Sequence, residues 1–496
     1  MNIENNETYL LLCFLLPLIA VFSNAVIRFP NLRDIITVMV SLGLFANMLK
    51  VFELFNSGVE FSYSLVEILP GLEISFSIEP LGMLFALIVS FLWIVSTIYS
   101  IGYMRGNNEH NQNRFFCFFA VAIFSALGVA FSDNMLTLFV FYELLTVCTF
   151  PLVTHTGTSD AKKSGRVYLG ILMGTSVMFL LPAVIFTYVL AGTLDFTKGG
   201  IIPGNTSVVI ASLLLFLYIY GIGKAALMPI HKWLPAAMVA PTPVSALLHA
   251  VAVVKAGVFT VVKVIVYIFG VDYLNELVQL NWWSGQWLAW AASFTVIVAS
   301  LVALKQDNLK RMLAYSTISQ LSYVVLAAAI LAPKSIVAAA FHIAAHAFGK
   351  ITLFFAAGSI YTTAHKTKIS QLSGIGRQMP LTMLAFSIGA LSMIGIPPAV
   401  GFITKWYMIG GAFDKEMYWV IVVITISTLL NSAYFLPVIY KAFFEKEKTA
   451  PGVVIDRKHG ESSIAIVLPL MLTAAATLYL FICPGVFMEL ANALVK

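Results

Sequence analysis

The stretch from Gly221 to Gly257, GIGKAALMPIHKWLPAAMVAPTPVSALLHAVAVVKAG, sets Lys224, His231, Lys232, His249 and Lys255 beside Gly221, Gly223, Pro229, Pro235, Pro241 and Pro243. The chain on either side is almost continuously apolar. A lysine at bilayer depth costs on the order of +3 kcal/mol on insertion scales. Glycine and proline open the helical hydrogen-bond ladder, and inside a membrane an opened ladder survives only under a cover of protein or beside a water-filled cavity. Charge on broken backbone therefore reads as an ion path.

The surrounding composition places that path in an integral membrane protein. Of 496 residues, 60% are hydrophobic and 10% charged, with mean hydropathy +0.93; soluble domains carry roughly 25% charged residues. Apolar runs of about 20 residues are long enough to span a bilayer. Fourteen such runs are expected, at 9–27, 32–54, 79–102, 115–131, 134–154, 166–191, 207–236, 241–268, 286–304, 310–331, 335–358, 380–411, 417–441 and 463–483. The runs 207–236 and 380–411 are too long for one straight span and carry Gly/Pro breaks, so each is expected to be a discontinuous helix. The N-terminus shows Glu4 and Glu7 and no basic residue before Tyr9, so the first run reads as a retained helix and not a secretory signal.

Cys13, Cys117, Cys148 and Cys483 show no metal-ligand spacing and are expected to be inert. No nucleotide-binding motif stands in a strand–turn–helix context. No cofactor and no metal are expected, and ion translocation without a redox centre in this chain is the reading. The net charge of +6 belongs to loops, so a lipid bilayer and no nucleic acid is the expected partner. Arg28, Arg33, Arg105, Arg114, Lys162, Lys163, Arg166, Lys305, Lys310, Arg311, Lys366, Lys368, Arg377, Lys441, Lys446, Lys448, Arg457 and Lys458 fall on one side of the alternation, against Lys198, Lys334, Lys415 and Lys496 on the other. The positive-inside rule makes the first side cytoplasmic and puts both termini outside an inner membrane.

The ionisable residues left inside the runs are the candidate site. Glu143 is the one acid in the fifth run, and a pair with Lys224, at similar depth, is the cheap arrangement for both. Lys255 lies mid-span in the eighth run. His249, six residues earlier, points about 120° away on a regular helix. Lys263 reads as a side chain snorkelling outward, as does Lys50, and Glu60, Glu67 and Glu73 read as a solvated acidic loop. Lys305, Asp307, Lys310 and Arg311 are expected to anchor topology and pair with one another. In FHIAAHAFGKITLF, His342, His346 and Lys350 recur every four residues and so share one stripe about 12 Å long. No third ligand accompanies the two histidines, so a proton relay is preferred to zinc. The twelfth run breaks at Gly395–Ile396–Pro397–Pro398 and then presents Lys405. A broken helix with one lysine thus occurs twice, in opposite directions, as in inverted-repeat transporters. The expected units are an N-terminal three-helix packing unit at 1–114, five-helix repeats at 115–268 and 286–441, and a C-terminal helix at 463–496.

The ordered motifs GKAALMPIHKWLPAAMVAPTPVSALLHAVAVVKAG, LKQDNLKRMLAYSTISQLSY, FHIAAHAFGKITLFFAAGSI and SMIGIPPAVGFITKW resemble the antiporter-like subunits of Mrp-type cation/proton antiporters, respiratory complex I and membrane-bound hydrogenases. The resemblance covers essentially the whole chain. It implies an all-α fold of about fourteen transmembrane helices with two inverted five-helix repeats. It also implies Glu143 and Lys224 as the acid–lysine pair, Lys255 as the central lysine, Lys405 as the terminal one, and His342, His346 and Lys350 as connectors. The run SQLSGIGRQMPLTMLAFSIGALSMIGIPPAVGFITKW looks most like Mrp D-type subunits. The expected function is accordingly the proton-translocating subunit of a multisubunit sodium/proton antiporter, with other membrane subunits, protons and sodium as partners. The alternative is a proton-pumping membrane subunit of a complex I-like NADH-quinone oxidoreductase or a membrane-bound hydrogenase. A stand-alone solute carrier is the rival from another class.

Overall fold

Apolar runs of bilayer length can satisfy their backbone only as helices, and the computed structural model is helical almost throughout. It describes residues 3–69, 71–280, 282–446 and 460–496. Lys448, Arg457 and Lys458, assigned above to the basic face, lie outside the described residues.

Among the described residues, twelve helices are long and apolar enough to cross a membrane, and two shorter apolar helices begin the two broken crossings. In chain order, with α13 added as the second half of the twelfth crossing, they are α1 (Ile3–Val26), α2 (Pro30–Asn56), α3 (Pro80–Gly106), α4 (Gln112–Ala130), α5 (Met135–Val153), α6 (Ser159–Ala191), α7 (Val208–Gly221), α8 (Thr242–Phe269), α9 (Trp282–Leu304), α10 (Leu309–Ala329), α11 (Pro333–Ala364), α12 (Pro380–Ile394), α13 (Gly401–Asp414), α14 (Tyr418–Phe444) and α15 (Ile464–Ile482). The seventh crossing is α7 followed by a short 3₁₀ turn, irregular chain and one helical turn at Trp233–Ala236. The twelfth is α12 and α13 joined through the Gly395 to Val400 segment. The expected all-α membrane fold is therefore present, and both long runs are broken as expected.

Helix order in depth follows from which helices carry charge. The most apolar windows of α8 and α11 are wholly buried, and that of α10 is 94% buried, whereas α1, α2, α6 and α14 bury a third or less. The helices that bear Lys255, Lys350 and both stripe histidines are thus the innermost, and the less buried α1, α2, α6 and α14 bear none of these bases. α11 can run for 32 residues because Pro333 stands at its first position, where no amide donor is needed, and small residues fill its middle. It packs on α10, α12, α13 and α15.

Two loop expectations need correction. The 55–78 loop is not merely a solvated acidic surface. Strands β1 (Ser62–Leu69) and β2 (Leu72–Ser77) form an antiparallel hairpin, locked to the end of α4 by a Ser77 N–H bond to Phe131 O of 2.8 Å. Lys50 pairs with Glu53 at 2.9 Å. Nor do Asp307 and Lys310 pair: Asp307 accepts from Ser370 N and Oγ at 2.8 and 2.9 Å, and Lys310 Nζ donates to Ala240 O at 2.5 Å. Two loops that are distant in sequence compete successfully for those charges.

Candidate functional site

The break after α7 frees amides that a helix would have used, and the site begins with where they go. Lys224 lies on the 3₁₀ turn Gly223–Ala225, and its backbone N–H donates to the Tyr142 hydroxyl at 3.1 Å. Met228 N–H reaches Thr295 Oγ1 at 3.2 Å, and the Gly223 carbonyl accepts from the Trp233 indole at 3.0 Å. Ala226 takes a left-handed conformation at φ 56° to turn the chain. The opened ladder is thereby satisfied by side chains of α5 and α9, as an interior break requires.

The Lys224 ammonium is fully buried and donates to Tyr142 O at 2.7 Å and Thr146 Oγ1 at 2.6 Å, while lying 3.1 Å from the centroid of the Tyr142 ring. It makes no ion pair with Glu143. Both buried carboxylate oxygens of Glu143 lack a hydrogen-bond partner among the described residues. The expected pair is corrected to an open one: the two groups interact electrostatically across a gap, and hydroxyl and carbonyl dipoles hold the lysine. Gly257 of α8 permits this placement, since a Cβ there would stand 2.4 Å from the backbone carbon of Lys224.

Within α8 the residues Leu247–Val251 form a wide π turn that ends at Ala252. The regular-helix angle expected between His249 and Lys255 does not apply across it. Wide turns of this kind often mark functional positions. His249 is fully buried beside the Phe354 ring, 4.7 Å away, and both its ring nitrogens are unpartnered among the described residues. Lys255, also fully buried, meets Nδ1 of His346 on α11 in direct hydrogen-bond contact. One of the two must offer a lone pair, so they share a single proton between them.

From His346 the stripe continues along α11. The His346 and His342 rings are 6.0 Å apart, and His342 Nδ1 is 2.9 Å from Thr404 Oγ1 on α13. The neighbouring Lys405 donates to Ile394 O at 2.6 Å and Thr428 Oγ1 at 2.8 Å. Gly395, at φ +84°, leaves room for that fold-back, because a Cβ would sit 2.7 Å from Lys405 Cδ. Tyr323, Ala327, Ala338, His342, Thr404, Lys405 and Met408 enclose a gap too narrow to admit water. Lys350, one turn past His346, donates instead to Ser316 Oγ on α10 at 2.9 Å.

Lys224, Lys255, His249, His342, His346, Lys350 and Lys405 are all buried, and none faces lipid. His249, Lys255, His346 and Lys350 lie within electrostatic range of one another, and His342 within range of Lys405. Lys263 does not snorkel. It is fully buried, 3.0 Å from Glu79 of the residues before α3, and donates to Ser132 O at 2.6 Å. His231 and Lys232 stand at the surface end of the broken crossing, near Tyr315. Sequence reasoning missed the hydroxyl partners Tyr142, Thr146, Ser316, Thr404 and Thr428. Only Thr404, next to Lys405, had a local signal. Among the described residues, no three or more His, Cys, Asp or Glu side chains are grouped so as to hold a metal ion.

Residues 132–431 match the family described as NADH:quinone oxidoreductase/Mrp antiporter, transmembrane, and residues 71–116 match the chain 5 N-terminus of NADH-ubiquinone oxidoreductase (complex I). The chain is 31% identical over 394 residues to NADH-quinone oxidoreductase subunit N of Desulforudis audaxviator, covering 78% of this chain and 76% of that one. It is 30% identical over 447 residues to subunit L of Campylobacter jejuni, covering 89% and 70%. Its fold is that of chains in two solved complexes. One is the Mrp complex of Dietzia sp. DQ12-45-1b, with TM-score 0.84, 20% identity and coverage of 99% and 96%. The other is an archaeal membrane-bound sulfane sulfur reductase, with TM-score 0.84, 24% identity and coverage of 98% and 96%.

Proposed function

This chain belongs to the NADH:quinone oxidoreductase/Mrp antiporter transmembrane family, and from that premise we propose that it is a proton-translocating subunit of a multisubunit membrane complex, specifically an Mrp D-type subunit of a sodium/proton antiporter. The observation that carries the reading is the contact of Lys255 with His346, which joins the two innermost helices through groups that can exchange a proton. Protons enter from the basic, cytoplasmic face near the broken seventh crossing. There a cavity of about 240 Å³ is lined by Glu109, Lys310, Tyr103 and Thr242. They pass by Lys224, Lys255, His346 and His342 toward Lys405. The units 115–268 and 286–441 act as the two inverted halves of the path.

The energetics suit a switch. One charge moved through the membrane potential is worth about 2.3 kcal/mol per 100 mV. Making or breaking a buried ion pair is of similar size, several kcal/mol. The open Glu143–Lys224 arrangement is one state; closing it draws positive charge away from Lys255 and lets that lysine accept a proton. The likeness of the run SQLSGIGRQMPLTMLAFSIGALSMIGIPPAVGFITKW, which ends in Lys405 and Trp406, to Mrp D-type subunits supports the antiporter assignment.

A second reading, a pumping subunit of an NADH-quinone oxidoreductase, is favoured by the names of the relatives at 30–31% identity. Purifying the chain with its native partners separates the two: small antiporter subunits for the first, iron–sulfur and flavin subunits for the second. Proton uptake into inverted vesicles tests the shared core. Normal uptake by assembled Lys255→Ala and Glu143→Ala complexes would refute it.

A further inference from the structure

Lys350 is the stripe base whose hydrogen bond leads away from the row. Its ammonium donates to Ser316 Oγ at 2.9 Å, and the Tyr434 hydroxyl on α14 lies 3.1 Å from that same oxygen. Tyr434 also donates to Asn431 Oδ1 at 2.5 Å, and Asn431 in turn donates to Met393 O at 3.2 Å. Ser316 and Asn431 are fully buried and Tyr434 is 5% exposed. Tyr434 is also one of the residues that line a cavity of about 320 Å³, with Lys305, Gln306, Asp307, Met312 and Lys441. These residues sit at the ends of α9, α10 and α14 on the basic face. Ser316 is seven residues into α10, about 10 Å from its start on that face. The cavity and two hydroxyls thus bridge the basic face to a buried ammonium.

We propose that this file is a second proton inlet, from the basic face through Tyr434 and Ser316 to Lys350, separate from the mouth at the broken seventh crossing. It rests on the proton-row reading given above. When the Lys350 amine is neutral, Ser316 gives its hydroxyl proton to Nζ and takes one from Tyr434, whose oxygen is reprotonated by a hydronium ion in the cavity, which is left as water. Each oxygen loses one O–H bond and gains another, Nζ gains one N–H bond, and the net change is one proton moved inward. Tyr434 has one proton to give, so turning between Asn431 and Ser316 opens or closes the step. At the mouth, hydrogen bonds from the Ser370 backbone hold the Asp307 carboxyl below the usual carboxylate range, which keeps a negative charge there beside Lys305 and Lys441.

The test compares Tyr434→Phe, Ser316→Ala, Ser316→Thr and Lys255→Ala in the complete complex, as proton uptake in inverted vesicles per assembled complex. Tyr434→Phe and Ser316→Ala each lower uptake by about tenfold or more, and Ser316→Thr, which keeps the hydroxyl, retains near-parental uptake. Parental rates in both hydroxyl deletions, with Lys255→Ala inactive, overturn the inlet and leave the row standing. Equal damage from Ser316→Ala and Ser316→Thr assigns these residues to packing and also overturns it. Parental uptake in Lys255→Ala sinks both readings together. Should Tyr434→Phe fail to assemble, the Ser316 pair decides alone.

Discussion

Nζ of Lys255 and Nδ1 of His346 meet where α8 crosses α11, the two helices with no lipid-facing surface in their apolar cores. The contact joins residues 91 positions apart. On the proton row proposed above, each partner acts through the other.

Coupling of this kind is measurable as non-additivity. Lys255→Ala and His346→Ala are each expected to reduce proton uptake by about 100-fold or more, and the double variant no further. Additive losses in vesicle uptake assays would mean the two act independently.

Gly257 is expected to tolerate no side chain. Gly257→Ala pushes a methyl group against the Lys224 backbone, an overpacking that costs about 1–3 kcal/mol and displaces the lysine. Thermal unfolding of the purified complex should shift downward, with uptake reduced in parallel.

Thr146→Val keeps the shape of the pocket and removes one acceptor from the Lys224 ammonium. Leaving a buried charge one bond short costs about 1–3 kcal/mol, which closure onto Glu143 can offset. The expected signature is a shifted Glu143 carboxylate band in difference infrared spectra, absent in Glu143→Gln, together with slower transport.

Glu79→Gln should strand the Lys263 ammonium in a buried site. Breaking such a pair costs about 3–5 kcal/mol, so the complex should melt early. Adding Lys263→Met should recover most of the loss, because it removes the charge as well.

The clamp from Asp307 to Ser370 predicts a pH effect on the basic-face loops. Because the folded carboxyl is held below its ordinary value, its stabilisation is present above the unfolded value and disappears as pH falls through the lowered one. Acid-induced exchange of the Ser370 amide should follow that titration, and Asp307→Asn should abolish the pH dependence.

The crossings and both breaks could be read from the chain because apolar length and Gly/Pro punctuation are local signals. The site bases were legible for the same reason: Lys224, Lys255 and Lys405 stand out against hydrocarbon. What a local signal cannot carry is the identity of a distant partner. Lys263 looked like a snorkelling residue because Glu79 is far away in sequence. The Glu143–Lys224 pair looked closed because depth alone says nothing of the hydroxyls of Tyr142 and Thr146 that hold the lysine instead. The 62–77 hairpin escaped notice because its acids masked its alternation.

The gap enclosed by His342, Thr404 and Lys405 is too tight for solvent, and in a proton conductor that gives the resting chain an insulator near one end. A continuously wet file would short-circuit the gradient it works on. On the row proposed above, a proton at this point has the His342 Nδ1–Thr404 Oγ1 bond of 2.9 Å to follow and not a thread of water.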